Sequence, residues 1–255
     1  MSFFRIIIPT YNGGQWLPRM VSCIRRQTCQ DFHLIIVDDL STDDTWDVVR
    51  SLAPDVAVQV DKPGNAAGAR NVGMRYHKED LYTLWFDDDD VLIDDAGLEK
   101  IKRCAETNKY PDIIRLNYRK TKLSTGLPGN HHDRFPDKIT PEDICRDVIR
   151  GMPWSKAVKT EKCVEFPEAL RIDDCFHHIM QADVCETAAV VHDDFYEWLV
   201  REGSVSNSPG TVEWLAGWYM EIAMLLLQKK EYLHDYAREA ADLRIAWIKR
   251  RILGG

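Results

Sequence analysis

The stretch Leu81-Tyr82-Thr83-Leu84-Trp85-Phe86-Asp87-Asp88-Asp89-Asp90 sets an apolar run against four consecutive carboxylates. A short apolar run bounded by polar residues reads as a buried strand. Here the strand ends by delivering several acids to its C-terminal tip. Carboxylate oxygens are hard ligands that suit Mg²⁺ or Mn²⁺, and a cation held there would grip a diphosphate.

The same pattern recurs toward the N-terminus. Arg5 to Ile8 reads as a buried strand stopped by Pro9, followed by the turn Asn12-Gly13-Gly14. Trp16, Leu17, Met20, Val21 and Ile24 recur at helical spacing, with Pro18 tolerated near the helix start. His33 to Val37 is a second strand ending in Asp38-Asp39, and Ser41 and Thr42 are expected to cap the helix that follows. Val56 to Val60 predicts a third strand, and Gly64 to Gly73 a further helix. Strands alternating with helices imply a parallel sheet covered on both faces. Ligands of such sheets sit beyond the carboxyl ends of the strands. Those ends carry Pro9-Thr10-Tyr11-Asn12, Asp38-Asp39 and Asp87 to Asp90, so three polar tips are expected along one rim.

Past Phe86 the spacing predicts a helix over Leu98 to Ala105 and a strand over Asp112 to Asn117. Thr121 to Asp137, rich in Gly, Pro, His and charge, reads as a long loop able to act as a lid. Val190-Val191 and Tyr196 to Val200 read as two short strands, and Val212 to Leu253 as two helices broken near Lys229-Lys230.

The 255 residues suffice for one large α/β domain, alone or with a tail. A formal net charge of −8 argues against nucleic acid as the main partner. The seven cysteines form no Cys-x-x-Cys pair, which fits a reduced intracellular protein and offers no structural zinc spacing. Met1 to Pro9 lacks the features of a signal peptide, and the most apolar later stretch, around Ile222 to Leu227, is too short to span a membrane.

Ile6-Ile7-Ile8-Pro9-Thr10-Tyr11-Asn12, Ile36-Val37-Asp38-Asp39-Leu40-Ser41-Thr42-Asp43-Asp44-Thr45, Ala69-Arg70-Asn71-Val72-Gly73 and Phe86-Asp87-Asp88-Asp89-Asp90 together resemble the family 2 glycosyltransferases. Pro153-Trp154-Ser155-Lys156, Asp173-Asp174 and Arg201-Glu202-Gly203-Ser204-Val205-Ser206 resemble elements of that family's second half. The resemblance covers about residues 3 to 208. It implies an α/β protein of GT-A (nucleotide-diphospho-sugar transferase) fold, with a mostly parallel central sheet flanked by helices and a C-terminal helical extension. The implied division is a transferase domain over 1–210, with a nucleotide-binding half (1–117) and an acceptor-binding half (118–210), and an extension over 211–255.

The implied activity is inverting transfer of a sugar from a nucleotide-diphosphate donor, UDP-linked, to an acceptor hydroxyl. By this resemblance Asp89 is the principal ligand of Mn²⁺ or Mg²⁺ and Asp87 its support. Asp88 meets the donor ribose, although the family commonly has a small residue there. Pro9 and Tyr11 belong to the nucleotide site, with Tyr11 stacking on the base. Asp39 accepts the uracil imide N–H, since a carboxylate is an acceptor only. Arg70 lies near base and phosphates. Asp174 is the general base, Asp173 its acceptor-binding neighbour in place of the usual Glu, and Trp154 lines the acceptor or sugar pocket.

Two other functions compete. A sugar nucleotidyltransferase would need a Gly-x-Gly-x-Arg loop where Pro9-Thr10-Tyr11-Asn12-Gly13-Gly14 stands. A catalytically inactive nucleotide-sugar-binding protein would have little reason to crowd acids together without a cation. The histidines His131-His132, His177-His178 and His192 have no spacing that singles out a metal ligand. Leu243 to Leu253 is basic and amphipathic. It could lie on an anionic membrane, which suits a lipid-linked or envelope-glycan acceptor and a cytoplasmic protein peripheral on the membrane's inner face. The competing reading is a helix packed on its own domain or on a second subunit.

Overall fold

The computed structural model describes residues 1–62, 64–122, 135–147, 151–168, 174–200, 227 and 233–253, with side chains of the last helix described to 246. Four strands begin the chain, β1 (Phe4–Thr10), β2 (Phe32–Asp38), β3 (Val56–Gln59) and β4 (Tyr82–Trp85). Between them lie α1 (Leu17–Arg25), α2 (Thr45–Ser51) and α3 (Ala66–Gly73). Then come β5 (Val91–Leu92), α4 (Gly97–Thr107), β6 (Ile113–Lys122), α5 (Pro141–Arg146), β7 (Lys156–Lys159), α6 (Asp174–Asp183), β8 (Ala188–Val200) and α7 (Asp235–Leu253).

The strands form one eight-stranded sheet in the order β3-β2-β1-β4-β7-β6-β8-β5. β3, β2, β1 and β4 pair in parallel, as do β6 and β8. β7 runs antiparallel to β4 and β6, and β5 antiparallel to β8. Six of the eight strands therefore run the same way, a mostly parallel sheet in which β7 and β5 are reversed. β7 has no counterpart among the sequence expectations, because a four-residue strand with lysine at both ends has no apolar run.

Every residue of β1 is buried, as a strand covered on both faces requires. Alternate side chains feed two cores. Phe4, Ile6 and Ile8 join Leu17, Met20 and Ile24 of α1 and Leu98 and Ile101 of α4 on one face. Ile7, Ile35 and Val37 join Ala67 and Ala69 of α3, Ile144 of α5, Phe176 and Ile179 of α6, and Ala237, Ala240 and Ala241 of α7 on the other. This is the period-two alternation of a pleated strand.

Several expectations shift. Val190-Val191 and Tyr196 to Val200 belong to one strand, β8, whose register against β6 slips between Leu116 and Tyr118. The slip lets the polar segment His192-Asp193 pass without ending the strand. β6 runs on to Lys122, so it enters the expected loop, whose residues 123–134 lie outside the described ones. It also crosses the 117/118 division. Ser41 and Thr42 do not cap α2, which has Asp44 at its N-cap and no side-chain cap bond. Ser41 accepts from Asn12 N–H at 2.9 Å, and Thr42 N–H donates to Asn12 Oδ1 at 2.9 Å. These bonds tie the tip of β1 to that of β2.

Of the two expected C-terminal helices, α7 is described, and the earlier one falls outside the described residues. Over 233–246, α7 packs on its own domain. Leu233, Ala237, Ala240, Ala241, Arg244 and Ile245 are buried, and Arg146 of α5 reaches Glu239 at 3.0 Å. Among the described residues no helix is long and apolar enough to cross a membrane.

α3 lies unusually close to the sheet at its C-terminal residue. A Cβ on Gly73 would stand 2.5 Å from Ile7 Cγ2 and 3.3 Å from Val37 Cγ2. Gly73→Ala should therefore destabilise the fold by about 1–3 kcal/mol through overpacking, read as a lowered urea midpoint at unchanged m. An unchanged midpoint would contradict this close approach.

Candidate functional site

The three polar tips meet at one rim, as the parallel order of β2, β1 and β4 requires. At the end of β1, Pro9 is buried, whereas Tyr11 is 55% exposed. Asn12 (φ 49°) and Leu40 (φ 56°) adopt the left-handed region in the turns that carry Tyr11 and Asp39. Non-glycine residues accept that conformation where surrounding structure enforces it. Here the enforcement is visible in the Asn12–Ser41–Thr42 bonds and in Asp39 N–H donating to Thr10 O at 2.9 Å.

Asp38 and Asp39 are adjacent but have different partners. The Asp38 carboxylate is fully buried and accepts from Gln59 Nε2 at 2.6 Å and from the Ser41 hydroxyl. Asp39 accepts from Gly64 N–H at 3.0 Å. Burial, aided by the charge of Asp38, raises its carboxyl above the ordinary range, and the Gly64 bond opposes that shift.

The acidic run divides in the same way. Asp88 accepts from the Thr10 hydroxyl, and a Cβ on Gly13 would strike its Oδ2 at 1.9 Å, so the turn Asn12-Gly13-Gly14 needs a glycine there. Arg19 Nη2 donates to the main-chain oxygen of Asp89 at 2.5 Å. Asp90 faces inward and accepts from Leu199 N–H at 2.8 Å. Burial pushes its carboxyl well up, the charges of Asp87 and Asp89 adding to the effect. Its role is to anchor the run to β8. Asp87 N–H donates to the buried Tyr196 Oη at 3.0 Å, a second anchor from the same strand.

Arg70 joins the halves of the site. This buried guanidinium donates from Nη2 to Asp87 Oδ1 at 2.8 Å, and its Nη1 lies 3.8 Å from Asp174 Oδ1, at the first residue of α6. Its carbon sits 5.2 Å from the Phe166 ring centre. α3 holds the neighbouring chain as well. Asn71 Nδ2 donates to Phe166 O and to Glu168 Oε1, both at 2.9 Å, and Asn71 Oδ1 accepts from Phe166 N–H at 2.8 Å. Burial raises the Asp87 carboxyl, Arg70 opposes the shift, and the charges of Asp89 and Asp174 add to it. Asp87, Asp89 and Asp174 therefore share one electrostatic field.

That donor set suits a hard divalent cation, which needs one or two protein carboxylates and takes its remaining ligands from phosphate and water. Among the described residues, three ligand atoms converge within 4.8 Å of one another only at His33, His77 and Asp80, at the sheet's other end.

The other expected site residues fare differently. Asp173 lies outside the described residues, as do His131 and His132. Trp154 is 3% exposed. It stacks on Tyr196 (centroids 4.5 Å apart, planes 8° apart) and meets Tyr118 edge-on at 4.6 Å. Trp154 therefore lies in the aromatic core beneath the rim, not on an open pocket wall. His177 is buried against Phe166 (centroids 3.6 Å), and its Nε2 donates to Val164 O at 3.1 Å. His192 pairs with Asp137 at 3.1 Å.

The sequence reading missed Thr10, Asp90 and Tyr196 as anchors of the run. It also missed Lys156, the last residue of the Pro153-Trp154-Ser155-Lys156 element. Lys156 Nζ is fully buried and donates to Gly151 O (3.2 Å), Met152 O (2.8 Å) and His178 Nδ1 (3.3 Å). The last assignment follows from His178 Nε2, which meets Ile144 O at 2.7 Å and so must carry the proton. Burial pushes Lys156 down to about 7, Arg115 pressing the same way and Asp174 opposing.

The profile of Glycosyl transferase family 2 matches residues 5–147. The glycosyltransferase GlyG of Streptococcus pneumoniae is 25% identical over 236 residues, spanning 82% of this chain and 74% of GlyG. Among solved structures, S. aureus TarS 1-349 in complex with UDP-GlcNAc superposes with a TM-score of 0.79 at 20% identity, over all of this chain and 73% of that one. The mannosyltransferase PcManGT from Pyrobaculum calidifontis, in complex with GDP-Man and Mn2+, superposes at 0.63 and 15% identity, over 99% of this chain and 73% of that one. Both structural matches show the shared fold.

The buried lysine makes a prediction in solution. An unfolded lysine keeps its proton to about pH 10.4, whereas folded Lys156 releases it near 7. Between those values the unfolded chain binds more protons, so stability rises with pH, by at most about 1.4 kcal/mol per unit. The penalty is fully present below pH 7 and is relieved toward pH 10. Urea denaturation of wild type and Lys156→Met should give a stability difference that moves in favour of wild type across that window. Parallel curves would show that Lys156 keeps an ordinary pKa in the fold.

Proposed function

The chain belongs to glycosyl transferase family 2 and is a glycosyltransferase, and we propose that it moves a sugar from a UDP-linked donor to an acceptor hydroxyl with inversion. The observation that carries the reading is the Asp87–Arg70–Asp174 bridge. It sets a strand-tip acid suited to the donor side within reach of a helix-start acid suited to the acceptor side.

In this reading residues 1–117 hold the nucleotide. Tyr11 offers its exposed ring to the base, beside Pro9. Asp39 accepts an N–H from the base edge, and a carboxylate so placed favours uracil. Asp88, steadied by Thr10, meets the ribose. Asp89 and Asp87 would hold Mn²⁺ or Mg²⁺, which when bound neutralises charge growing on the departing diphosphate. Arg70 balances Asp87 and lies beside the same leaving group. Two solved structures of this fold support a nucleotide-sugar donor, one bound to UDP-GlcNAc and one to GDP-Man with Mn2+.

Asp174 serves as general base. Inversion needs a group that takes the attacking hydroxyl's proton on the face opposite the leaving diphosphate. Its side chain is one-third exposed, which leaves an approach for the acceptor. Asp173 is proposed as its acceptor-binding neighbour, and residues after 117 as the acceptor side. The acceptor is a glycan or a lipid-linked sugar. Packing of α7 on α5 and α6 over 233–246 leaves any membrane contact to its last turns.

The two acids should separate cleanly. Asp89→Ala should abolish Mn²⁺-dependent UDP binding in calorimetry. Asp174→Asn should bind UDP as wild type does yet lose about 10²–10⁴-fold in kcat. Full turnover in the Asp174 variant would remove it from the base role, and unchanged metal-dependent binding in the Asp89 variant would move the cation elsewhere.

A further inference from the structure

At the sheet's opposite end, where strands begin, His33 of β2, His77 after α3 and Asp80 before β4 bring one ligand atom each within 4.8 Å of the others. We propose that these three residues form a second metal site, taking a transition-metal ion of the Zn²⁺ type, separate from the rim.

The donor set fits that ion class. Two imidazole nitrogens and one carboxylate oxygen with an open fourth position match three-ligand zinc sites, whereas Mg²⁺ and Ca²⁺ prefer all-oxygen shells. The carboxylate is already aimed. Asp80 is buried, with Oδ1 accepting from Ser2 N–H at 2.6 Å and Oδ2 lying 2.6 Å from His33 Nδ1. An ion would take the place of the proton shared by those two atoms, releasing it to solvent.

The third residue is held close by. His77 has φ 47°, and its ring stacks on His33 with centroids 3.7 Å apart and planes 18° apart. Arg5 fixes the chain leading into His77 by donating from Nη1 to Met74 O (2.9 Å) and Tyr76 O (3.0 Å). Parallel stacked rings cannot both aim lone pairs at one ion, so His77 turns out of the stack on binding. Its side chain is 25% exposed and has room to do so. An ion there would pin the chain ahead of β1, β2 and β4 together, a structural role remote from sugar transfer.

The test uses untagged, EDTA-dialysed protein titrated with ZnCl₂ in calorimetry and thermal melts, with CoCl₂ absorption as an optical reading of imidazole ligation. The Asp89→Ala background removes the rim's principal ligand. In that background one equivalent of Zn²⁺ should bind and raise Tm by about 5 °C. His77→Asn, which tolerates the left-handed backbone, should weaken Zn²⁺ at least tenfold and abolish the Co²⁺ band, while Mn²⁺-dependent transfer in the otherwise wild-type enzyme stays unchanged. His33→Gln should weaken Zn²⁺ similarly. No Zn²⁺ binding in the Asp89→Ala background, or binding that both histidine variants leave intact, would overturn the site.

Discussion

Arg70 is a buried cation between two acids that come from different parts of the fold, Asp87 at a strand tip and Asp174 at a helix start. Without it, Asp87 and Asp174 would face each other with no cation between them, and like charges disfavour each other's ionised form. The chain around Arg70 is arranged to keep it in place. Ala69 and Gly73 are small, so α3 can lie against β1 and β2. Asn71 clamps Phe166 and Glu168, whose segment leads toward α6, and Asn65 caps α3 by accepting from Gly68 N–H at 3.0 Å. The run Ala69-Arg70-Asn71-Val72-Gly73 is thus one device: two residues set the distance to the sheet, one bridges charges and one holds the partner segment.

The rim carries more acids than the one proposed cation would need, and the structure gives some of them other partners. Asp38 staples the turn after β2 through Ser41 and Gln59. Asp90 staples the acidic run to β8 through Leu199 and is pushed toward its neutral form by burial. Each neighbours a second acid, Asp39 beside Asp38 and Asp89 beside Asp90. At the end of β2 adjacent residues point to opposite sides, so Asp38 meets Gln59 and Ser41 while Asp39 meets Gly64 N–H.

This alternation also marks how far the sequence could be read. β1, β2 and β4 were legible because parallel strands buried on both faces need unbroken apolar runs, and their polar tips follow from strand direction alone. β7 was not, since its lysines conceal a central strand, and β8 looked like two strands because a bulge carries polar residues through it. Trp154 could equally have been read as pocket or core, and the deciding fact, its stack on Tyr196, joins residues far apart in the chain. Ser41 and Thr42 resembled helix caps, yet their partners are Asp38 and Asn12. The basic face of the last helix gave no sign that Arg244 is buried against the domain. For Trp154, Ser41, Thr42 and Arg244 the partner was set by tertiary contact.

The polar lattice behind Asp174 follows the same logic of position over stability. Arg115 pairs with Asp147 at 3.0 Å and donates to Ser155 O at 2.6 Å. Lys156 donates to two main-chain oxygens and to His178, which in turn reaches the last turn of α5. An apolar filling would cost less than this set of buried charges. What the lattice adds is direction. α5, the turn at 151–155 and α6 are joined by bonds with fixed donors and acceptors, whereas hydrophobic contact alone would let α6 slide. Gly151 completes the fit, because a Cβ there would stand 2.2 Å from the His178 ring. A helix proposed to bring its first residue, Asp174, to a reacting hydroxyl gains from being held in one register, and a buried lysine lowered to about 7 is the energetic cost of that register.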